Sequence, residues 1–326
     1  MLYPLKFHPI FKDKIWGGEK IKSILKKDFS PLPNCGESWE ISGIKNNVSV
    51  VNDGKLEGKD LSYLIHKYTS RLLGTYVYSK FGADFPLLIK FIDANEDLSI
   101  QVHPNDELAW ERHHSLGKTE MWYILQADEH AELIAGFNRE MNRDVYLEHL
   151  KRGSLMEVLN KESAKKGDVF YMPAGRIHTI GKGLLLAEIQ QSSDVTYRIY
   201  DFDRVDQSGN KRELHTQEAL DAIDYNFYPE YKSKYEENND TAVEIVKSPY
   251  FTTNKLKLSK DYQRDIEPLD SFVVYICLSG NGLIQHNNGT TRIGMGEVVL
   301  IPAELAQYTL IPEDHIELLE TYISKP

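Results

Sequence analysis

Along residues 98–106, Leu-Ser-Ile-Gln-Val-His-Pro-Asn-Asp, apolar and polar side chains alternate. This is the period of a β-strand. It turns Leu98, Ile100 and Val102 one way and Ser99, Gln101 and His103 the other. The stretch follows the apolar run Phe85-Pro-Leu-Leu-Ile-Lys-Phe-Ile92, and residues 85–103 together read as one or two buried strands. A face bearing serine, glutamine and histidine just beyond such a run calls for partners elsewhere in the chain.

The rest of the pattern predicts a β-rich protein with a few helices. Residues 37–42, 47–51, 120–125, 130–137, 168–172, 175–180, 184–190 and 196–200 read as strands. Residues 20–27, 106–114, 142–150, 154–160 and 213–224 read as helices, and Trp16-Gly-Gly18 as a turn. Over residues 59–73, apolar positions 61, 64, 65, 68 and 72 fit one helix of 3.6-residue period, with Gly74 as its stop. Residues 229–242 are polar and charged and form the best candidate linker. Beyond them, residues 243–324 carry short strands and turns, as in a second sandwich or barrel.

A faint repeat supports two related units. Gly167-Asp-Val-Phe-Tyr-Met-Pro-Ala174 matches Gly296-Glu-Val-Val-Leu-Ile-Pro-Ala303. The first copy runs on to Gly175-Arg-Ile-His178 and the second to Glu304-Leu-Ala-Gln307, where no histidine stands at the matching place. The expected organisation is a metal-binding unit at 1–228, a linker at 229–242, and a second barrel without a metal site at 243–326.

The chain has 326 residues, with 41% apolar and 27% charged side chains, as in a soluble globular protein with a substantial core. A net charge of −11 argues against a nucleic-acid or membrane surface. An anionic small molecule then requires a local cluster of lysines and arginines. No run of about 18 apolar residues occurs, and the N-terminus lacks a signal-peptide core. Two widely separated cysteines, Cys35 and Cys277, fit a reducing cytoplasm.

Gln101 and His103, at i and i+2, reach the same side of one strand. Glu120 opens another strand and His178 ends the Pro-Ala-Gly-Arg-Ile-His segment. Two imidazoles, a carboxylate and an amide oxygen form an N2O2 set suited to a borderline divalent ion such as zinc, with a position left open for substrate. Alone, His103 has an ordinary alternative: a chain with 11 histidines places several on polar strand faces.

On these segments the chain resembles the cupins, with Gln101 in place of the first histidine of their His-x-His motif, and more closely the type I phosphomannose isomerases. The matching stretches are Leu98–Asn105, Lys118-Thr-Glu-Met121, Pro173–His178 and Glu188-Ile-Gln-Gln-Ser-Ser-Asp-Val-Thr-Tyr-Arg198. The resemblance implies two cupin-like β-barrels (jelly-rolls) with a few added helices. It also implies one Zn2+ per chain on Gln101, His103, Glu120 and His178, and interconversion of mannose 6-phosphate and fructose 6-phosphate. Arg198 matches an active-site arginine, Glu188 an active-site acid, and Lys118 a lysine assigned to proton transfer. Ser99 and Lys90 match residues near the substrate phosphate, and Arg204 another basic residue.

Isomerising an aldose to a ketose through an enediol needs charge stabilisation and a proton carrier. Arg198 suits the first task; Lys118 or Glu188 suits the second. Lys90 and Arg204 would supply cations for the phosphate, although Arg204 can instead pair with Asp201 or Asp203, and Ser99 can merely bond within its sheet. The expected partner is a sugar phosphate, and the chain is expected as a monomer or homodimer. The rival reading is a non-catalytic cupin that binds a sugar phosphate for regulation. An Fe(II) oxygenase fits less well, because Gln101 adds a fourth ligand and phosphate-binding cations accompany it.

Overall fold

The computed structural model describes residues 1–205 and 209–325. Twelve strands build the first unit. They are β1 (Ile10–Lys12), β2 (Glu37–Ile41), β3 (Leu87–Ala94), β4 (Ile100–Val102), β5 (Glu120–Ala127), β6 (Glu132–Phe137), β7 (Leu159–Ser163), β8 (Val169–Met172), β9 (His178–Ile180), β10 (Leu184–Gln191), β11 (Tyr197–Tyr200) and β12 (Lys232–Ser233). One antiparallel sheet has the order β1-β2-β3-β10-β5-β8-β12, and a second has β11-β4-β9-β6-β7. The architecture is thus mainly β and cupin-like, as expected. Its sheets face each other as a sandwich, and they meet through one apolar cluster that includes Ile92, Ala94, Trp122, Ile124, Leu133, Ala135, Ile180 and Leu186.

Strand alternation sets where the site can form. On β10, Leu185, Ala187 and Ile189 point to an outer core, while Leu184 and Leu186 point between the sheets. Glu188 and Gln190 continue that inner stripe and are also buried. On β5, Met121, Tyr123 and Leu125 face outward and Trp122 and Ile124 inward, with Glu120 at the inner stripe's end. On β4, Ile100 and Val102 pack under the Arg143–Arg152 helix side, so the Ser99, Gln101 and His103 face turns inward. The space between the sheets is therefore apolar at one end and polar at the other.

The second unit holds β13 (Ala242–Lys247), β14 (Thr252–Leu258), β15 (Tyr262–Asp265), β16 (Val273–His286), β17 (Gly289–Gly294), β18 (Val298–Ile301) and β19 (Gln307–Tyr322). Its central trio β14-β19-β16 repeats β3-β10-β5 in register. Glu188 lies opposite Lys90 and Trp122, and Glu320 opposite Asn254 and Tyr275. Glu120 then corresponds to Val273, which lies opposite Ile301 as Glu120 lies opposite Met172. Arg264 pairs with Tyr308 as Gln101 pairs with His178. The inward residue at the histidine's place is Tyr308, since Gln307 is exposed, so the copies are offset by one residue there.

The two units share one core. Leu5, Phe7, Phe85, Ile89 and Leu185 belong to the same cluster as Phe272, Val274, Ile276 and Leu319. The segment 229–242 is tied down: Tyr231 donates to Phe137 O at 2.8 Å, Lys232 pairs with Asp168 at 2.7 Å, and β12 extends the first sheet.

Some local expectations change. Residues 59–73 form two helices, Leu61–Tyr68 and Ser70–Leu73, because Thr69 takes a positive φ of 48° and breaks the periodic run. A further helix follows at Thr75–Phe81. Residues 47–51 make only isolated bridges, through Val50 and Val51. Residues 154–160, expected as a helix, are a 3-10 turn at Leu155–Glu157 running into β7. No helix among the described residues is long and apolar enough to cross a membrane.

Candidate metal centre and substrate cavity

Because β4 pairs with β9, Gln101 lies directly across from His178. Glu120 comes from the facing sheet. His103, Glu120 and His178 are all buried, and their candidate ligand atoms lie within 4.8 Å of one another. His178 Nε2 is 3.3 Å from Glu120 Oε1, and His103 Nε2 is 3.6 Å from Oε2. The Gln101 amide stands 3.2 Å from His178 Nε2, and a half-turn of that amide brings its oxygen to the same point.

The rings are fixed from behind. His103 Nδ1 bonds Val195 O at 2.9 Å, and His178 Nδ1 bonds Arg176 O at 2.8 Å. Each Nδ1 therefore carries the proton, and each Nε2 presents a lone pair to the cluster. Burial, reinforced by Lys118, lowers the His178 pKa to about 3 and holds His103 well below its usual value. Both imidazoles are neutral, as ligands must be. Burial and the neighbouring Glu188 raise Glu120 to about 7. Its two oxygens are buried and lack a well-formed hydrogen bond. Two neutral imidazoles, an amide and a buried carboxylate fit a divalent cation, whose charge would resolve the cost of burying them.

A cavity of about 360 Å³ opens onto this cluster. Gln101, Lys118, Glu188, Lys90, Ser99 and Arg198 line it, bringing together nine of the ten expected site residues with the three buried ligands behind them. Lys118 Nζ lies 2.8 Å from His103 Nε2 and 3.0 Å from Glu120 Oε2. Glu188 Oε1 accepts from Lys90 Nζ at 2.9 Å, and Oε2 from Trp122 Nε1 at 2.8 Å. Burial alone would raise the Glu188 pKa, but Lys90 and Lys118 outweigh it and hold the carboxylate ionised.

Two expected phosphate cations are placed differently. Lys90 is buried between Glu188 and Glu37, 3.9 Å from the latter, so its charge is already matched. Arg204 does not line the cavity. Its Nη1 donates to Asp97 O at 2.5 Å and its Nη2 to Asp201 at 2.6 Å, because the turn at Phe202 and Asp203, both at positive φ, folds it back.

The cavity also uses residues that sequence reasoning missed: Lys14, Glu37, Trp39 and Arg212. Glu37 accepts from Trp39 Nε1 at 2.7 Å and pairs with Lys14 at 3.2 Å. The alternation of Glu37-Ser-Trp-Glu-Ile41 puts Glu37 and Trp39 on one face and was the available signal. Lys14 and Arg212 lie outside regular strands and gave none.

A buried His-Glu-His cluster that could hold a metal ion, at the floor of a polar cavity in a two-sheet sandwich, is the arrangement of a cupin with a candidate metal site. The comparisons narrow the class. Residues 4–138 match the model of the phosphomannose isomerase type I catalytic domain. Residues 241–321 match that of the mannose-6-phosphate isomerase cupin domain. The chain is 35% identical to mannose-6-phosphate isomerase ManA of Bacillus subtilis over 98% of this chain and 99% of that one. It is 37% identical to the mannose-6-phosphate isomerase of Streptococcus mutans over 98% and 94%. The crystal structure of a Bacillus subtilis mannose 6-phosphate isomerase superimposes with a TM-score of 0.88 at 32% identity, covering 98% of this chain and 99% of that chain. The chain belongs to the type I phosphomannose isomerases and is an enzyme of that activity, which sets aside the non-catalytic reading.

Proposed function

We propose that the chain interconverts D-mannose 6-phosphate and D-fructose 6-phosphate by moving a proton between C1 and C2 through an enediol, with one zinc ion held by Gln101, His103, Glu120 and His178. The observation that carries this reading is the buried His103–Glu120–His178 cluster at the floor of a cavity whose walls bear lysine and arginine. A bound divalent ion supplies electrophilic stabilisation of negative charge on the sugar oxygens.

The chain's own residues do the rest. Lys118 Nζ is placed at the junction of cluster and cavity, where it can take and return the proton. Glu188 has both oxygens occupied by Lys90 and Trp122, so it orients the substrate's hydroxyls and ranks behind Lys118 as proton carrier. Arg198 lines the cavity beside Ser99, its Nε 3.3 Å from Ser99 Oγ, and stabilises the enediolate. Lys90 acts by neutralising Glu188 and Glu37, and Arg204 by holding Asp201.

In this reading residues 1–228 carry the chemistry, 229–242 connect, and 243–326 form the barrel that buttresses the first. A sugar phosphate is the partner and the cytoplasm the location. The test is a coupled assay of mannose 6-phosphate isomerisation on protein of known metal content, with and without a chelator. Activity that tracks metal supports the reading, and activity indifferent to metal removal contradicts it.

A further inference from the structure

Three guanidinium groups gather at one end of the cavity. Arg212 donates through Nε to Asp201 Oδ2 at 2.6 Å and through Nη2 to Oδ1, while Arg204 shares the same carboxylate at 2.6 Å. Arg198 lies close enough that Arg212 and Arg204 press on its charge. Asp201 is buried. One carboxylate therefore serves two arginines and leaves a third unmatched. The other acids nearby do not restore the balance. Asp203 is paired with Lys211, Glu213 offers Arg198 its backbone oxygen, and Asp194 is an exposed residue at the rim.

Two of these arginines keep an open donor. Arg198 uses Nε and Nη1, and Arg212 uses Nε and Nη2; Arg198 Nη2 and Arg212 Nη1 have no hydrogen-bond partner among the described residues. Both side chains line the cavity, as does Ser99, whereas Arg204 does not. We propose that Arg212, with Ser99 Oγ, forms the anion-binding end of the cavity and receives the phosphate of the sugar phosphate, that Arg198 is thereby left to the enediolate, and that Asp201 is the positioning residue that aims Arg212. This rests on the isomerase reading above. A planar guanidinium fixed from behind, as Arg212 is by Asp201, is pre-organised for a phosphate's oxygens. The alternative cations are committed: Lys14 to Glu37, and Lys90 to Glu188 and Glu37. Ser99 lies two residues before Gln101 on the same face of β4, so the anion end sits beside the metal end along one strand.

The experiment uses metal-loaded full-length protein. Calorimetry reads binding of inorganic phosphate, and the coupled assay reads KM and kcat for mannose 6-phosphate. Arg212→Gln is expected to weaken phosphate binding and raise KM by at least tenfold each, with the loss falling on KM more than on kcat. Lys211→Gln, which removes a neighbouring exposed cation paired with Asp203 rather than Asp201, is expected to change both by less than threefold. Binding of unphosphorylated mannose should not respond to either change. If Arg212→Gln does not fold, Arg212→Lys keeps the charge but cannot bridge Asp201 twice, and at least a threefold loss is expected. Arg212 variants within twofold of wild type on both measures overturn the proposal, as does a Lys211→Gln loss equal to that of Arg212→Gln. A wild-type protein that binds phosphate through Arg212 yet fails to isomerise overturns the reaction reading instead, and leaves the anion end standing.

Discussion

Glu320 stands in the second unit where Glu188 stands in the first. Each is a buried carboxylate on the middle strand of an in-register trio, and each accepts a hydrogen bond from both flanking strands. The donors are Lys90 and Trp122 for Glu188, and Asn254 and Tyr275 for Glu320. The difference lies in what stands above them. Glu188 faces a cavity, whereas Glu320 is closed off by Arg264, which donates through Nε at 2.7 Å and Nη2 at 3.1 Å. Tyr308 bonds the Tyr275 hydroxyl at 2.8 Å and completes the closure.

The same substitution should therefore act differently in the two units. Glu320→Ala strands Arg264 and is expected to cost about 3–5 kcal/mol of stability by urea unfolding, while kcat per folded molecule stays within twofold. Glu188→Ala is expected to lower kcat by at least tenfold. A Glu320→Ala protein as stable as wild type would mean that the Arg264 network is not a structural lock.

Lys118 and Glu188 are separable by kinetics. Removing the proton carrier costs roughly 10²–10⁴ in rate. Lys118→Met should fall in that range with metal content retained, and Glu188→Gln, which keeps the shape of the acid, should fall less. A Glu188→Gln loss larger than that of Lys118→Met reverses the assignment.

Asp93 makes stability depend on pH in a direction opposite to that of a salt-bridged acid. It is fully buried; Oδ2 accepts from Lys20 N at 2.6 Å, but Oδ1 has no partner. Burial raises its pKa to about 6, against the hydrogen bond from Lys20. The folded state thus prefers the protonated form. The stability from that preference is complete below the unfolded-state value near 4 and is lost as pH rises through about 6, up to about 3 kcal/mol. Asp93→Asn removes the titration, so urea midpoints of variant and wild type should converge or cross as pH goes from 4 to 7. Parallel curves would show that Asp93 does not titrate in this range.

The shared core predicts that the first unit does not stand alone. Phe85 packs on Phe272 with ring centroids 4.9 Å apart, and Leu5 bridges to Leu300. A fragment ending at residue 228 would expose Leu5, Phe7, Phe85 and Leu185 to water. It is expected to aggregate or to lack a cooperative thermal transition, and a soluble fragment that melts cooperatively would contradict this.

Legibility in the sequence followed how local each cause was. Alternation in Leu98–His103 was enough to put Ser99, Gln101 and His103 on one inward face, since pleating alone decides it. Glu120 was legible because it begins its strand, and His178 because it closes the Pro-Ala-Gly-Arg-Ile-His segment. The break at Thr69 was not legible, as a threonine at positive φ leaves no mark in a helical pattern. The pairing of Arg204 with Asp201 was legible as one of two alternatives from their closeness in sequence, whereas its bond to Asp97 O, which depends on a turn, was not. Arg212 was hidden for the same reason: a carboxylate eleven residues back aims it into the cavity.

The most direct test of the metal centre is Glu120→Gln, with bound metal and mannose 6-phosphate turnover measured on the same preparation. The substitution preserves shape but removes the charge that His103 and His178 cannot supply. The expected result is metal content well below one per chain and turnover reduced at least a hundredfold. A Glu120→Gln protein that turns over at the wild-type rate would contradict the site as drawn.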